Sequence, residues 1–126
     1  MGNDIKLFRE LKELSGSKYD DAVVQRYVNN PYLVNGLKFD FRIYVLITGR
    51  IPSEMQAFVA DEGVTRFCTE KYFNAGPENL NNVFMHITNF SINRYSKNYV
   101  DCGKVYDILQ PNNATKRTLI ALFTEL

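Results

Sequence analysis

The sequence predicts an α+β fold, an antiparallel β-sheet with flanking helices. Three observations carry this. Residues 38–48 alternate strictly, with Phe39, Phe41, Ile43, Val45 and Ile47 on one face and Lys38, Asp40, Arg42, Tyr44, Leu46 and Thr48 on the other. Ile5, Phe8, Leu11 and Leu14 recur at helical spacing, as do Leu119, Ile120, Leu122 and Phe123 near the end of the chain. Between these stretches, short β-branched and apolar runs are punctuated by Asn, Gly and Pro.

The elements follow in order. Residues 4–14 read as an amphipathic helix capped by Asn3 or Asp4 and ended by Ser15-Gly16-Ser17. Residues 22–28 (Ala-Val-Val-Gln-Arg-Tyr-Val) read as a short strand that Asn29-Asn30-Pro31 terminates, because proline cannot donate to a ladder. Asn35-Gly36 is a turn signal leading into the alternating strand, and Gly49-Arg50-Ile51-Pro52 ends that strand. Residues 55–60 and 64–68 read as two more strands joined by Asp61-Glu62-Gly63, which makes a meander. Residues 74–82 form a polar loop, residues 83–88 a further strand, and residues 89–113 an irregular tract rich in Asn, Ser and Tyr. Thr115 is positioned to cap the final helix, whose apolar stripe runs to Leu126 without a stop signal. The expectation is a single partial domain, residues 1–126, truncated at both ends.

Bulk properties narrow the function classes. With 126 residues, 45% hydrophobic and 23% charged, the chain can bury a modest core. A net charge of +1 supplies no global field for nucleic acid or for a membrane surface. No apolar run approaches the ~20 residues that span a bilayer. Cys68 and Cys102 stand far apart and fit no metal spacing, so they read as reduced cytosolic thiols. One histidine, His86, excludes a multi-histidine metal site, and no metal ligand is assigned.

Candidate chemistry begins on the charged face of residues 38–48. Lys38, Asp40 and Arg42 lie about 6.5–7 Å apart in a row. Lysine offers a compact charge and arginine a bidentate fork, groups suited to phosphate, with an aspartate to orient them. On spacing alone an ion-paired, solvated face is slightly favoured over a ligand site. Gln25-Arg26-Tyr27-Val28, ahead of a Pro-containing connection, has the backbone and apolar cover to read an adenine edge, although an ordinary strand end explains it as well. Asn89 suits a metal or phosphate contact or a plain turn. His86 reads as a hydrogen-bonded, semi-buried histidine ahead of a catalytic one.

Three blocks together resemble the tubulin–tyrosine ligase-like family, in its order and over residues 23–100. The first runs from Gln25-Arg26-Tyr27-Val28 through Pro31-Tyr32-Leu33-Val34 to Gly36-Leu37-Lys38-Phe39-Asp40-Phe41-Arg42-Ile43-Tyr44-Val45-Leu46. The second is Glu62-Gly63-Val64-Thr65-Arg66-Phe67-Cys68-Thr69-Glu70-Lys71-Tyr72, and the third Met85-His86-Ile87-Thr88-Asn89-Phe90-Ser91-Ile92-Asn93-Arg94. The resemblance implies part of an ATP-grasp fold and an ATP-dependent ligase that joins an amino acid to tubulin through an acyl-phosphate. It implies that Gln25, Arg26, Tyr27 and Val28 form the adenine hinge, and that Lys38, Asp40, Thr88 and Asn89 contact ATP. It places Arg66, Phe90, Ser91 and Lys116 at the incoming amino acid, with Lys38, Arg42 and Arg66 as the catalytic cations. Glutamate is the favoured amino acid, ahead of tyrosine or glycine, and a non-catalytic tubulin-binding relative is the alternative. Mg²⁺ is implied, with its ligands and the glycine-rich loop expected outside this chain. Tubulin or microtubules are the implied partner, and the cytoplasm, cytoskeleton and cilium or basal body the implied location.

Overall fold

A computed structural model describes residues 5–14, 22–102 and 114–126. It is built on a four-stranded antiparallel sheet in the order β1-β2-β3-β4. The strands are β1 (Leu33–Val34), β2 (Leu37–Thr48), β3 (Gln56–Lys71) and β4 (Lys116–Thr118). Three short helices accompany it: α1 (Val83–His86), α2 (Phe90–Asn93) and α3 (Leu119–Glu125).

The turn from β1 to β2 is the Asn35-Gly36 pair, with φ of 51° and 73°. Two successive positive φ angles match the twist of a two-residue hairpin, and Asn-Gly tolerates them at least cost. The Lys71 amine donates to the Asn35 carbonyl and closes this end. At the other end of β2, Gly49 has φ of 106°. A side chain there would meet the Glu54 carbonyl oxygen at 2.6 Å. The connection then makes one 3-10 turn, Pro52–Glu54, and re-enters the sheet.

The meander expected from residues 55–68 is instead one long strand. β3 pairs with β2 from Thr48↔Gln56 through Ile43↔Gly63 to Leu37↔Lys71. Asp61-Glu62-Gly63 does not reverse the chain. It lies beside a register shift, between the rungs Ile43↔Gly63 and Val45↔Val59. The continuous template of β2 keeps both flanks paired, so the extra residues bulge and do not turn. The bulge frees the Glu62 carboxylate, which accepts from its neighbour Gly63 N–H (2.8 Å) and from Leu119 N–H at the start of α3 (2.9 Å). Gly63 is required there. A Cβ would approach the Arg42 carbonyl oxygen to 2.6 Å and Leu119 Cδ1 to 2.9 Å.

Five other expectations change, the first being that the tract expected to be irregular from residue 89 opens with the helical turn α2. Residues 5–10 are not helical, and only Leu11–Leu14 makes a single 3-10 turn. Of the predicted stripe, Ile5 and Leu11 are exposed and Phe8 and Leu14 only half-buried, and a short helix is marginal without a well-buried face. Asn3, Asp4 and Ser15-Gly16-Ser17 lie outside the described residues. Residues 22–28 run without a ladder. Tyr27 anchors them through its hydroxyl on His86 Nδ1 (2.8 Å), and the next residue but one, Asn29, accepts from the Tyr72 hydroxyl at its carbonyl (2.7 Å) and from Ala75 N–H at Oδ1 (2.9 Å). Residues 83–88 hold the helical turn α1, in which Ile87 N–H returns to the Val83 carbonyl (3.0 Å). A short continuous apolar run fits a buried helical turn as well as a strand. The cap of α3 is Thr118, whose hydroxyl accepts from Ala121 N–H (3.1 Å), while residues 116–118 form β4.

The core joins Val34, Phe67 and Leu122, with Leu37 and Phe39 packed against them. Arg117 lays its guanidinium over the Phe67 ring at 4.3 Å. The apolar face of β2 carries Phe39, Phe41, Ile43, Val45 and Ile47. Cover reaches only its first third among the described residues, and Phe41, Ile43, Val45 and Ile47 are exposed.

Leu122 is fully buried in this core. Leu122→Ala is expected to cost about 2–5 kcal/mol, and Gly63→Ala about 1–3 kcal/mol through the backbone clash. Urea or thermal unfolding measures both, and a loss below about 0.5 kcal/mol for either contradicts the packing described.

Candidate functional site

The charged face of β2 is built by register. Residues directly opposite one another in adjacent strands share a face. Asp40 pairs with Arg66, and Arg66 pairs with Lys116, so these three stand in one rung across β2, β3 and β4. The next rung on the same face is Arg42, Val64 and Thr118. Period two adds Lys38 on the other side of Asp40.

Within the first rung, Arg66 holds Asp40 as a two-pronged pair. Arg66 Nε donates to Asp40 Oδ1 at 2.8 Å, and Nη2 donates to Oδ2. The fork geometry fixes the guanidinium plane. The bond to Asp40 also holds the Arg66 charge more firmly than usual, although partial burial works against it. The Asp40 carboxylate is thus oriented by Arg66 and not by Lys38. Lys116 is half-buried at the end of the rung, and Arg42 is exposed.

Lys38 follows a separate course. Its amine donates to the His86 carbonyl (2.7 Å) and to the Tyr27 hydroxyl (3.4 Å), and it sits 4.6 Å from the Tyr27 ring centroid. Partial burial lowers the pKa of the amine, while Cys68 and Asp40 oppose that shift. Cys68 is buried beside it, and burial pushes the thiol up to about 12, which leaves it a protonated, unreactive group.

His86 is a buried, hydrogen-bonded histidine, as the sequence suggests. Its Nε2 lies 3.1 Å from the Asn79 carbonyl, which can only accept, so Nε2 carries the proton. Nδ1 therefore accepts from the Tyr27 hydroxyl at 2.8 Å. Burial lowers the His86 pKa, the Asn79 carbonyl opposes this, and the nearby Lys38 charge adds to it.

Thr88 is buried, and Asn89 precedes α2, its carbonyl accepting from Asn93 N–H (3.0 Å). Phe90 is exposed and packs edge-on against Tyr99. Ser91 is half-buried. In the segment 25–28, Gln25, Arg26 and Val28 are exposed, and Tyr27 alone turns inward.

One residue that pattern reading does not assign to the site organises this region. Asn93 is buried, and its amide is fully used. Its Oδ1 accepts from Thr69 N–H (3.1 Å) and from the Thr69 hydroxyl (3.0 Å), and its Nδ2 donates to the carbonyls of Ile87 (2.6 Å) and Asn89 (3.1 Å). It ties the Ile87–Asn89 segment to β3. A buried Asn four residues after another Asn carries no periodic signal, so only the fold reveals it.

The arrangement gathers Lys38, Asp40, Arg66 and Lys116 on one half-buried face, a geometry suited to an anionic ligand. Among the described residues no three His, Cys, Asp or Glu side chains meet as a metal cage.

The His86 shift has a defined sign. Its folded pKa lies below the ordinary 6.5, so the unfolded chain takes up the proton first as pH falls. The His86 contribution is present above that value and declines below it. Wild type is therefore expected to lose more melting temperature between pH 7.5 and pH 5 than His86→Asn does, and thermal scans at the two pH values compare them. An equal loss contradicts the buried neutral imidazole.

Comparison with known proteins identifies the family. The model of the Tubulin-tyrosine ligase family matches residues 1–120. A probable beta-tubulin polyglutamylase of Tetrahymena thermophila is 47% identical over 98 residues, which is 78% of this chain and 8% of that protein. Tubulin polyglutamylase TTLL11 of Mus musculus is 40% identical over 105 residues, 83% of this chain and 13% of that protein. Tubulin polyglutamylase TTLL6 of Homo sapiens is 40% identical over 98 residues, 78% of this chain and 10% of that protein. The chain thus spans about a tenth of the length of the curated relatives it matches. The matched region takes in the charged rung, the Tyr27–His86 contact and the Asn93 anchor, and the chain belongs to the tubulin–tyrosine ligase family.

Proposed function

We propose that this chain is the central part of an ATP-grasp ligase that adds glutamate to glutamyl side chains of tubulin. In this reading ATP activates the acceptor carboxylate as an acyl-phosphate, and the amine of the incoming glutamate displaces phosphate. The observation that carries it is the rung Asp40–Arg66–Lys116 with Lys38 beside it, in a chain whose relatives are named tubulin polyglutamylases. The names of those relatives, tubulin polyglutamylases, favour glutamate over tyrosine or glycine as the added amino acid.

The proposed roles follow from placement. Lys38 supplies a half-buried charge to the phosphates, and its acceptors hold its direction. Arg66, braced by Asp40, presents an oriented fork to the carboxylate of the incoming amino acid. Lys116 extends the positive face toward the same ligand, with Phe90 and Ser91 nearby in the proposed amino-acid site. The exposed backbone of 25–28 offers hydrogen-bonding groups to an adenine edge, and Thr88 and Asn89 complete the nucleotide contacts. Arg42, one rung away and exposed, adds charge to transferring phosphoryl oxygens. Such chemistry depends on positioning and charge neutralisation more than on acid–base catalysis. Mg²⁺ would neutralise the nucleotide phosphates, and its ligands would come from elsewhere in the polypeptide. Tubulin and the cytoskeleton are the corresponding partner and location, with the cilium as a candidate site of action.

Labelled glutamate, ATP and tubulin, supplied to the full-length polypeptide, test this. Lys38→Ala and Arg66→Ala are each expected to reduce incorporation by about 10²-fold or more. For Arg66→Ala the defect should include a raised KM for glutamate. Equal labelling by wild type and Lys38→Ala removes the role assigned to Lys38. No labelling by wild type, with intact nucleotide binding, favours a non-catalytic tubulin-binding relative.

A further inference from the structure

The side chain of Tyr27 does not face solvent with its neighbours in the segment 25–28. It is half-buried, with its ring edge-on to His86 (centroids 5.4 Å apart) and its hydroxyl between His86 and Lys38. The direction of each hydrogen bond in this chain of groups is determined. The Asn79 carbonyl can only accept, so His86 Nε2 donates to it. The neutral ring then has only a lone pair at Nδ1, and the Tyr27 hydroxyl must donate there. With its single proton spent, the Tyr27 oxygen offers Lys38 lone pairs alone. The His86 backbone carbonyl supplies a second acceptor to the same amine.

We infer that Tyr27 and His86 are positioning residues for Lys38, a polarised relay from the Asn79 carbonyl that orients the lysine amine. The relay sits between the 74–82 loop, the 25–28 segment and β2, and it ties the direction of the Lys38 charge to all three. Its consequence for phosphate recognition rests on the ATP reading above. The orientation of Lys38 does not.

The test reads Lys38 directly in the full-length polypeptide. Limiting sulfo-N-hydroxysuccinimide acetate acylates free amines, and mass spectrometry gives the rate at Lys38 relative to the exposed Lys97. Tyr27→Phe deletes one oxygen with little change of shape. It is expected to raise the Lys38 rate about three- to tenfold, since an acceptor to a charged group is lost. His86→Leu should do the same. His86→Asn, which keeps an acceptor oxygen near the position of Nδ1, should stay near wild type. An unchanged rate in Tyr27→Phe overturns the inference, as does an equal rise in His86→Asn and His86→Leu, which would mark loss of packing alone. Melting temperatures identify a variant that fails to fold, and the near-isosteric Tyr27→Phe decides the matter if His86→Leu does. Saturating MgATP should slow acylation of wild-type Lys38. If it does not while Tyr27→Phe still accelerates, the relay stands and the nucleotide assignment fails.

Discussion

The register of β3 against β2 decides which charges meet in the Asp40–Arg66–Lys116 rung. Asp40 and Arg66 are 26 residues apart, and only antiparallel pairing in the observed register sets them opposite one another. A slip of one residue would turn Arg66 to the other face, where Phe67 now packs, and would bury a charge in the apolar cluster. The two-pronged pair and the Phe67 core therefore specify the same register from opposite faces. The bulge beside Gly63 belongs to this constraint as well. It lets β3 continue past extra residues and frees Glu62 to meet the first amide of α3. Helix α3 then brings Leu122 to the core, and the β4 strand before it brings Lys116 to the rung.

A second constraint acts through buried polar groups. Asn93 and His86 are almost fully enclosed, and each has its hydrogen-bonding groups matched. Low surrounding dielectric makes an unmatched group costly, so such residues specify one arrangement of the segments they join. Asn93 joins residues 87–89 to β3, and His86 joins the 74–82 loop to Tyr27 and Lys38. The connections that carry much of the proposed nucleotide site are irregular in backbone, and these side chains take the place of a ladder.

What the sequence made legible follows from this division. Period two over residues 38–48 and the Asn35-Gly36 turn located β2 and its hairpin, because both signals are local. The hydrogen-bonded character of His86 was readable from residue type. The apolar runs at 22–28 and 83–88 were misread as strands, because a short apolar run does not say what it pairs with: the first is largely exposed and joins no ladder, and the second forms a helical turn. The predicted N-terminal helix lacks a well-buried face, with Ile5 and Leu11 exposed. The Asp61-Glu62-Gly63 tract looked like a turn, because its composition carries no record of the strand that templates it. The charge row Lys38–Asp40–Arg42 suggested mutual pairing along one strand. The actual partner of Asp40 comes from β3, and that pairing depends on a register no local pattern records.

The central claim is that the segment 25–28 and the Lys38 face form two walls of one nucleotide site. Photolabelling of the full-length polypeptide with 8-azido-ATP, mapped by peptide mass spectrometry, tests it most directly. The account predicts label within residues 25–28, competed by unlabelled ATP and weakened in Lys38→Ala. Competed label that falls wholly outside this chain, and is indifferent to Lys38→Ala, would contradict it.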